Sequence, residues 1–285
     1  MAMPDSESRF DIPFSDKDFQ SLAALAKENY GLSLSESKKP LVYSRLSKRL
    51  KARKVSSFQQ YIDLVRSDPK TEAQELVSAL TTNVTSFFRE PHHFKTLAEV
   101  CLPQFQENAK HGDRSRVWSA GCSSGEEPYS IAATILEKMP QAAECDVKIL
   151  ATDIDPKVLE VAKRGQYSQS ETETLDAHQV KALFASSKLN KDRNEICAKT
   201  KSLISFAELN LISEWPIRGR FDAIFCRNVA IYFDQQTQQN LWMKLTEKLK
   251  PGGHLFIGHS ERITGPAGEY LINAGVTSYK KRQDA

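Results

Sequence analysis

Little in this 285-residue chain points to a covalent or metal-built scaffold. Its five cysteines (Cys101, Cys122, Cys145, Cys197 and Cys226) are odd in number, scattered, and never spaced C-x-x-C. That argues against both a disulfide frame and a zinc site, and it leaves the cysteines as small apolar residues, with Cys122 and Cys226 in loops of interest. His92 and His93 are neighbours, a spacing that does not suit two ligands on one helical face, so no metal is expected. No apolar run approaches the roughly 18 residues of a membrane span, and the start "MAMPDSESRF" lacks the charged-then-apolar order of a signal peptide. The expectation is a cytoplasmic chain without membrane insertion. An excess of one charge is missing too: 39 basic and 36 acidic residues leave a formal net charge of +3, too small to imply a nucleic-acid binder by itself. Internal repeats and low-complexity segments are absent.

What is present is a globular composition, 40% hydrophobic, in a chain long enough for one large domain or two smaller ones. Residues 1–13 are polar and unpatterned and read as a mobile tail. Residues 14–80 carry helical signals throughout. Phe19, Leu22, Leu25 and Ala26 fall at helical spacing with Gly31 as a stop, and "SSFQQYIDLVRSDP" combines a Ser cap, a stripe of Phe58, Tyr61, Ile62 and Val65, and a closing Asp-Pro. After a linker at 81–94, apolar strand-like runs alternate with helical patterns from 95 to 285: "RVWSAG", "YSIAATILEKM", "DVKILATDI", "PKVLEVAKRG", "LISFAEL", "FDAIFCRN", "QQNLWMKLTEKLK". Such alternation predicts an α/β fold, a doubly wound and mostly parallel sheet, with antiparallel strands at the end in "GGHLFIGHSE" and "GVTSYKKR". Two short apolar runs around a polar turn in "DRNEICAKTKSLISF" predict a small antiparallel β insertion at about 183–206. In a doubly wound sheet ligands bind at the carboxyl ends of the strands, so the loops holding Glu127, Asp153, Asn210 and Arg227 should converge.

"VWSAGCSSGEEPYS" is laid out as a nucleotide-binding turn, yet it presents Glu126 and Glu127 where a phosphate would sit. Phosphate cradles rely on backbone N–H groups, a helix N-terminus and often a basic residue. An acidic version suits a ligand with an ammonium and hydroxyls but no phosphate, and S-adenosylmethionine has these. The simpler account is that the acids complement a helix dipole, worth about 0.3–1 kcal/mol. That account suffices for Glu126, and for Glu127 the two stand level. Asp155, followed by Pro156 and closed by Gly165, reads as a helix N-cap. Asp153 has no such capping task and stands where dinucleotide-type folds place the acid that accepts from ribose hydroxyls.

The strings "LTTNVTSFFREPHHF", "VWSAGCSSGEEPYS", "ATDID", "FDAIFCRNVAIYF" and "LKPGGHLFIGHSE", in that order behind a basic helical segment, resemble the CheR family of chemotaxis receptor glutamate methyltransferases, from about Phe19 to Tyr279. The resemblance implies a class I S-adenosylmethionine methyltransferase domain that esterifies receptor glutamates and releases S-adenosylhomocysteine. It implicates Asn83, Thr85 and Arg89 in the segment folding over the cofactor. Glu127 would take the cofactor's amino-acid end, Asp153 the ribose and Asn210 with Leu211 the adenine, while Cys226 and Arg227 would close the pocket. Arg89 and Arg227 would steer the acceptor carboxylate and Tyr232 would hydrogen-bond to it. Caps for Asn83 and Thr85, a solvated charge for Arg89 and a core aromatic for Tyr232 are the plain alternatives. Ala230 departs from the family's commoner form at an apolar position. The absence of an Asn-Pro-Pro-aromatic string disfavours methylation of bases or amides.

"KKPLVYSRLSKRLKARK" (38–54) has eight basic residues and no acid. Val42, Leu46 and Leu50 keep one face for packing, and Arg45, Lys48, Arg49, Lys51 and Arg53 populate the others. A run like this is usually a solvated face; the resemblance makes it a docking surface for the glutamate-bearing helices of methyl-accepting chemotaxis receptors, some of which carry a C-terminal peptide tether. The protein would act as a monomer. A cofactor-sensing binding module and a nucleic-acid methyltransferase are the competing readings, the latter supported by the basic helix alone.

Overall fold

The computed structural model describes residues 12–184 and 193–284. Residues 1–11, most of the expected tail, lie outside that range. Of the remaining two, Ile12 is buried and Pro13 exposed. By internal contacts the chain divides into two units, one ending at Thr82 and the other beginning at Asn83.

The first unit is all helical: α1 (Asp16–Tyr30), α2 (Lys39–Arg53), α3 (Phe58–Ser67) and α4 (Glu72–Leu80). Helix α1 starts in a capping box, with Ser15 accepting from the Asp18 amide and Asp18 answering the Ser15 amide. It stops at Gly31, whose left-handed φ of 72° a side chain would resist. Phe19, Leu22, Leu25 and Ala26 of α1 and Phe58, Tyr61, Ile62 and Val65 of α3 are buried, as their spacing predicts. Phe14 adds a ring 4.1 Å from Phe58.

The second unit begins with α5 (Pro91–Thr96), a π-turn at Leu97–Cys101 and α6 (Leu102–Lys110). It continues through β1 (Ser115–Ala120), α7 (Glu126–Lys138), β2 (Val147–Asp153), α8 (Pro156–Arg164), β3 (Gln166–Ser168), α9 (Gln169–Thr172), α10 (Ala177–Leu183), β4 (Arg193–Glu195), α11 (Ala198–Ser202), β5 (Ile204–Glu208) and β6 (Phe221–Cys226). It ends with α12 (Gln235–Lys248), β7 (Leu249–Ile257), α13 (Ala267–Tyr270), β8 (Leu271–Gly275) and β9 (Ser278–Lys281). The main sheet runs β5-β2-β1-β6-β7-β9-β8. Its first five strands are parallel, β9 is antiparallel to β7, and β8 is antiparallel to β9. Strand order reverses between β1 and β6, the switch point where such sheets bind ligands. Val117, Ile149, Phe225 and Phe256 pack with Phe94, Leu97 and Ile131 in the core beneath that point.

The expected hairpin at 183–206 is redrawn. Residues 185–192 of that stretch lie outside those described. The run "RNE" supplies β4, which pairs with β3 from the other side of α9 and α10, and "ISF" opens β5, which pairs with β2 in the main sheet. The small antiparallel pair therefore starts at Gln166, and α11 separates the two runs that the sequence suggested were partners. No described helix is long and apolar enough to cross a membrane.

Candidate functional site

The turn after β1 is bent by three residues with positive φ: Gly121 (85°), Ser123 (49°) and Gly125 (102°). Glycine serves space as well as dihedral. A Cβ on Gly121 would stand 2.3 Å from Val229 Cγ2, and one on Gly125 would stand 2.9 Å from Ala162 Cβ. The turn thus touches the loop after β6 on one side and α8 on the other, and the Gly121 and Cys122 amides pin it to Thr152 O.

Two buried acids border this turn. Asp153, at the end of β2, accepts from the Ser123 amide (2.8 Å) on Oδ2 and from the Asp155 amide (3.0 Å) on Oδ1. It caps no helix, but it does brace the loop, a task its sequence position did not reveal. Burial raises its pKa and these amides oppose that. Each oxygen keeps a further lone pair for a hydroxyl donor. Asp155 caps α8 through the Lys157 amide, as expected, and its other oxygen takes Asn83 Nδ2 (2.9 Å). Asn83 in turn receives Ser123 Oγ on its carbonyl (3.0 Å), so the segment before α5 is laced to the turn.

Glu127, in the first turn of α7, accepts from Ser119 Oγ (2.6 Å) and lies 3.3 Å from Arg227 Nη1. Burial raises its pKa, while Arg227 and Ser119 favour the charged form. Glu126 is buried as well, receives Ser124 Oγ on both oxygens, and has its carboxyl pushed up by burial. Arg227 is 6% exposed. It also donates to the Arg89 carbonyl, lies 3.8 Å from Glu90 Oε2 and stands 5.8 Å from the Phe94 ring centroid. Its Nε is buried without a hydrogen-bond partner among the described residues.

The segment 81–90 has no regular structure, and its phenylalanine pair anchors it. Phe87 packs against Tyr167 and Phe184, Phe88 against Phe94, and the Phe88 amide donates to Ser130 Oγ. Phe88 and Glu90 are left-handed, as are Ser123 and Asn228. Four non-glycine residues held in this sparsely allowed region, all in loops meeting at the switch point, are the kind of strain that gathers at functional sites. Arg89 reaches back to the Val84 carbonyl (3.2 Å), and Thr85 is half-buried.

Asn210 follows β5 and accepts from the Ile212 amide (3.1 Å), while the neighbouring Leu211 is buried and its carbonyl receives Lys244 Nζ (3.3 Å). Cys226 closes β6, fully buried, its thiol held protonated by burial. Tyr232 ends a short 3₁₀ turn, partly exposed. The strands therefore bring Glu127, Asp153 and Arg227 to one end of the sheet, with Asn83 attached.

Glu90 was missed. It stood in plain view in "FFREPHHF", but what marks it, an acid set between Arg227 and His259, is assembled only by the fold. Its Oε1 accepts from the His259 amide (3.2 Å) and lies 3.0 Å from His259 Nδ1. The donor atoms of Glu90, His92 and His93 lie within 4.8 Å of one another, so residue spacing did not keep the two histidines apart as expected. Both Nε2 atoms face Thr277 Oγ1 (3.4 and 2.8 Å), and burial together with Arg227 lowers the His93 pKa to about 3. The Arg227 guanidinium beside Glu90 already supplies a cation there.

The basic helix divides differently from its charge pattern. Arg45 donates to the Ala79, Leu80 and Thr81 carbonyls and so caps the end of α4. Arg49 forms a two-pronged pair with the fully buried Glu72 (2.7 and 2.9 Å), and Arg53 Nε lies 3.1 Å from the same carboxylate. Lys48 and Lys51 are exposed.

Residues 83–279 match the family model described as the CheR methyltransferase SAM-binding domain, and residues 17–81 match that of its all-alpha domain. The chain is 47% identical over 252 residues to a probable chemotaxis protein methyltransferase of Rhizobium etli, covering 88% of this chain and 94% of that one. It is 41% identical to chemotaxis protein methyltransferase 2 of Pseudomonas aeruginosa, over 92% of each chain. With the chemotaxis protein methyltransferase of Escherichia coli it shares 37% identity, over 96% of this chain and 93% of that one.

Proposed function

The chain belongs to the CheR methyltransferase family, and from that membership we propose that it esterifies glutamate side chains on the cytoplasmic helices of chemoreceptors, as a monomer in the cytoplasm. At the coarser level it is an S-adenosylmethionine-dependent methyltransferase that acts on chemoreceptors in chemotaxis.

The observation that supports methyl-donor binding at this site is the pairing of Glu127 with Arg227 at the switch point, beside Asp153, and the glutamate acceptor is proposed from family membership. The donor set fits the cofactor. Glu127 offers an anion to an ammonium, and the unpartnered Nε of Arg227 offers a donor to a carboxylate. Asp153 keeps acceptor capacity for a ribose diol. Asn210 and Leu211 would border the adenine, and Asn83, Thr85 and Cys226 the rest of the pocket. Bound S-adenosylmethionine supplies a sulfonium methyl that a carboxylate of ordinary pKa, near 4.3, can take without a general base. What the protein must add is alignment, worth up to roughly 7–11 kcal/mol of barrier. Arg89 and Tyr232 are the groups to hold the acceptor carboxylate. Arg227, committed to Glu127, Glu90 and the Arg89 carbonyl, orders the pocket from within and steers the acceptor less than the sequence suggested. Receptor helices rich in acid would meet Lys48 and Lys51, and a receptor's peptide tether would add a strand to the β3–β4 pair.

Incubating the protein with radiolabelled S-adenosylmethionine and receptor-containing membranes tests the reading. Label released from protein as methanol by mild base supports a carboxyl ester. Label stable to base, or none on receptors, refutes it.

A further inference from the structure

The string "GHSE" at 258–261 has no role in the reading above, yet it sits at the centre of the site's support. Glu261 is 4% exposed. Its Oε1 accepts from the Val229 amide (3.0 Å) and the Ala230 amide (2.8 Å), and its Oε2 from the Asn228 amide (3.0 Å) and the Gly258 amide (2.6 Å). Three of these donors are consecutive residues of the loop that leads from Arg227 to Tyr232. Successive N–H groups turned to one point make a concavity that ordinarily attracts a free anion. Here a side chain from about 30 residues further on fills it.

Asn228 is left-handed at φ 59°, a sparsely populated conformation that Asn tolerates better than most side chains, and its amide is anchored here by the Glu261 carboxylate. Gly258 allows the approach, because a Cβ there would stand 2.6 Å from Asn228 Nδ2 and 2.8 Å from Asn228 N. On the opposite side Val229 fills the space a Cβ on Gly121 would need. The same turn holds Glu90 through His259, and Glu90 faces Arg227. Burial raises the Glu261 pKa, and the four amides work against that.

We infer that Glu261 is a positioning residue for methyl transfer: a built-in anion that fixes the 228–230 backbone and thereby the placement of Tyr232 against the acceptor carboxylate, while touching neither donor nor acceptor. The roles of Arg227 and Tyr232 rest on the reading above. Arg227 has three further holds on its guanidinium, so the cofactor end is less dependent on Glu261 than the acceptor end.

The test is Glu261→Gln in the full chain. The substitution keeps the volume, but in either orientation the amide turns an N–H₂ toward two backbone N–H donors. Hydrogen exchange of the 228–230 amides should accelerate about tenfold or more, in keeping with the loss of bonds to a charged acceptor. Turnover at saturating cofactor and receptor should fall about tenfold or more, while the Kd for S-adenosylhomocysteine stays within about threefold of wild type. Should the Gln variant fail to fold, Glu261→Asp, which keeps the charge and shortens the reach, is read the same way. Unchanged exchange at 228–230 overturns the inference whatever the activity. Faster exchange with unchanged turnover, or turnover lost only in proportion to cofactor affinity, overturns it as well. If the wild type forms no receptor ester the functional reading fails, and the exchange comparison still decides whether Glu261 holds the loop.

Discussion

Arg49→Ala should destabilise the helical unit before it alters any encounter with a receptor. Arg49 donates through Nε and Nη2 to the two oxygens of Glu72, and Glu72 has no exposed side-chain surface. The hydrogen bond to Glu72 is the main cause of the raised Arg49 pKa. Removing one partner of a buried pair leaves a charge without compensation and costs about 3–5 kcal/mol. Two features reduce that figure: the Arg49 side chain is 24% exposed, so water screens part of the pair, and Arg53 still reaches Oε2 at 3.1 Å. The expected loss is about 2–4 kcal/mol. For a domain of 60–100 residues this corresponds to a fall in Tm on the order of 10–30 °C. Far-UV circular dichroism and calorimetry on the full chain would read it as an early helical transition. Lys51→Ala, at an exposed position, should stay within about 0.5 kcal/mol of wild type. Replacing both partners together, as Arg49→Met with Glu72→Leu, should destabilise less than either single change. An Arg49→Ala protein that melts within about 2 °C of wild type would refute the reasoning, and the basic helix would return to being a solvated face.

Four further outcomes are expected. Asp153→Ala should weaken S-adenosylhomocysteine binding by about 1.5–3 kcal/mol by calorimetry, and unchanged affinity in a folded variant would remove the ribose assignment. Tyr232→Phe and Arg89→Ala should lower turnover more than cofactor affinity explains, and wild-type turnover at saturation would strip either residue of its role. Lys48→Glu with Lys51→Glu should raise the KM for receptor and flatten the salt dependence of the rate at wild-type cofactor affinity, since surface charges act over a Debye length of about 8 Å; an unaltered salt slope counts against docking there. Burial raises the Glu127 pKa, so in the empty site it takes up a proton at a higher pH than an ordinary carboxylate, and a bound ammonium needs the ionised form. Cofactor affinity should therefore decline as pH falls through that raised pKa, beginning above the usual carboxylate range, and a Glu127→Gln protein with the same pH profile would contradict this.

Local physics was legible without the fold. The stripe Phe58, Tyr61, Ile62, Val65 specified one buried helix face, Asp155-Pro156 specified a helix start, and Gly31 specified a stop, because each depends on residues within a turn or two of one another. The alternation of strand and helix patterns specified a parallel sheet, and with it the end of the sheet where Glu127, Asp153 and Arg227 would meet. Short elements were less legible: β3 spans three residues, too few to show an alternation, and β8 lies at the sheet edge with mostly exposed residues, so neither carried a hydrophobic signature. What only the tertiary structure decided were the partners of charges. Arg49 and Glu72 are 23 residues apart, Arg227 and Glu127 a hundred, and Glu261 reaches back more than thirty to three of its four amides. A charged side chain reads the same in sequence whether water or a buried counter-ion surrounds it. Its burial is set by which elements pack together, and the charge pattern of one helix does not contain that information.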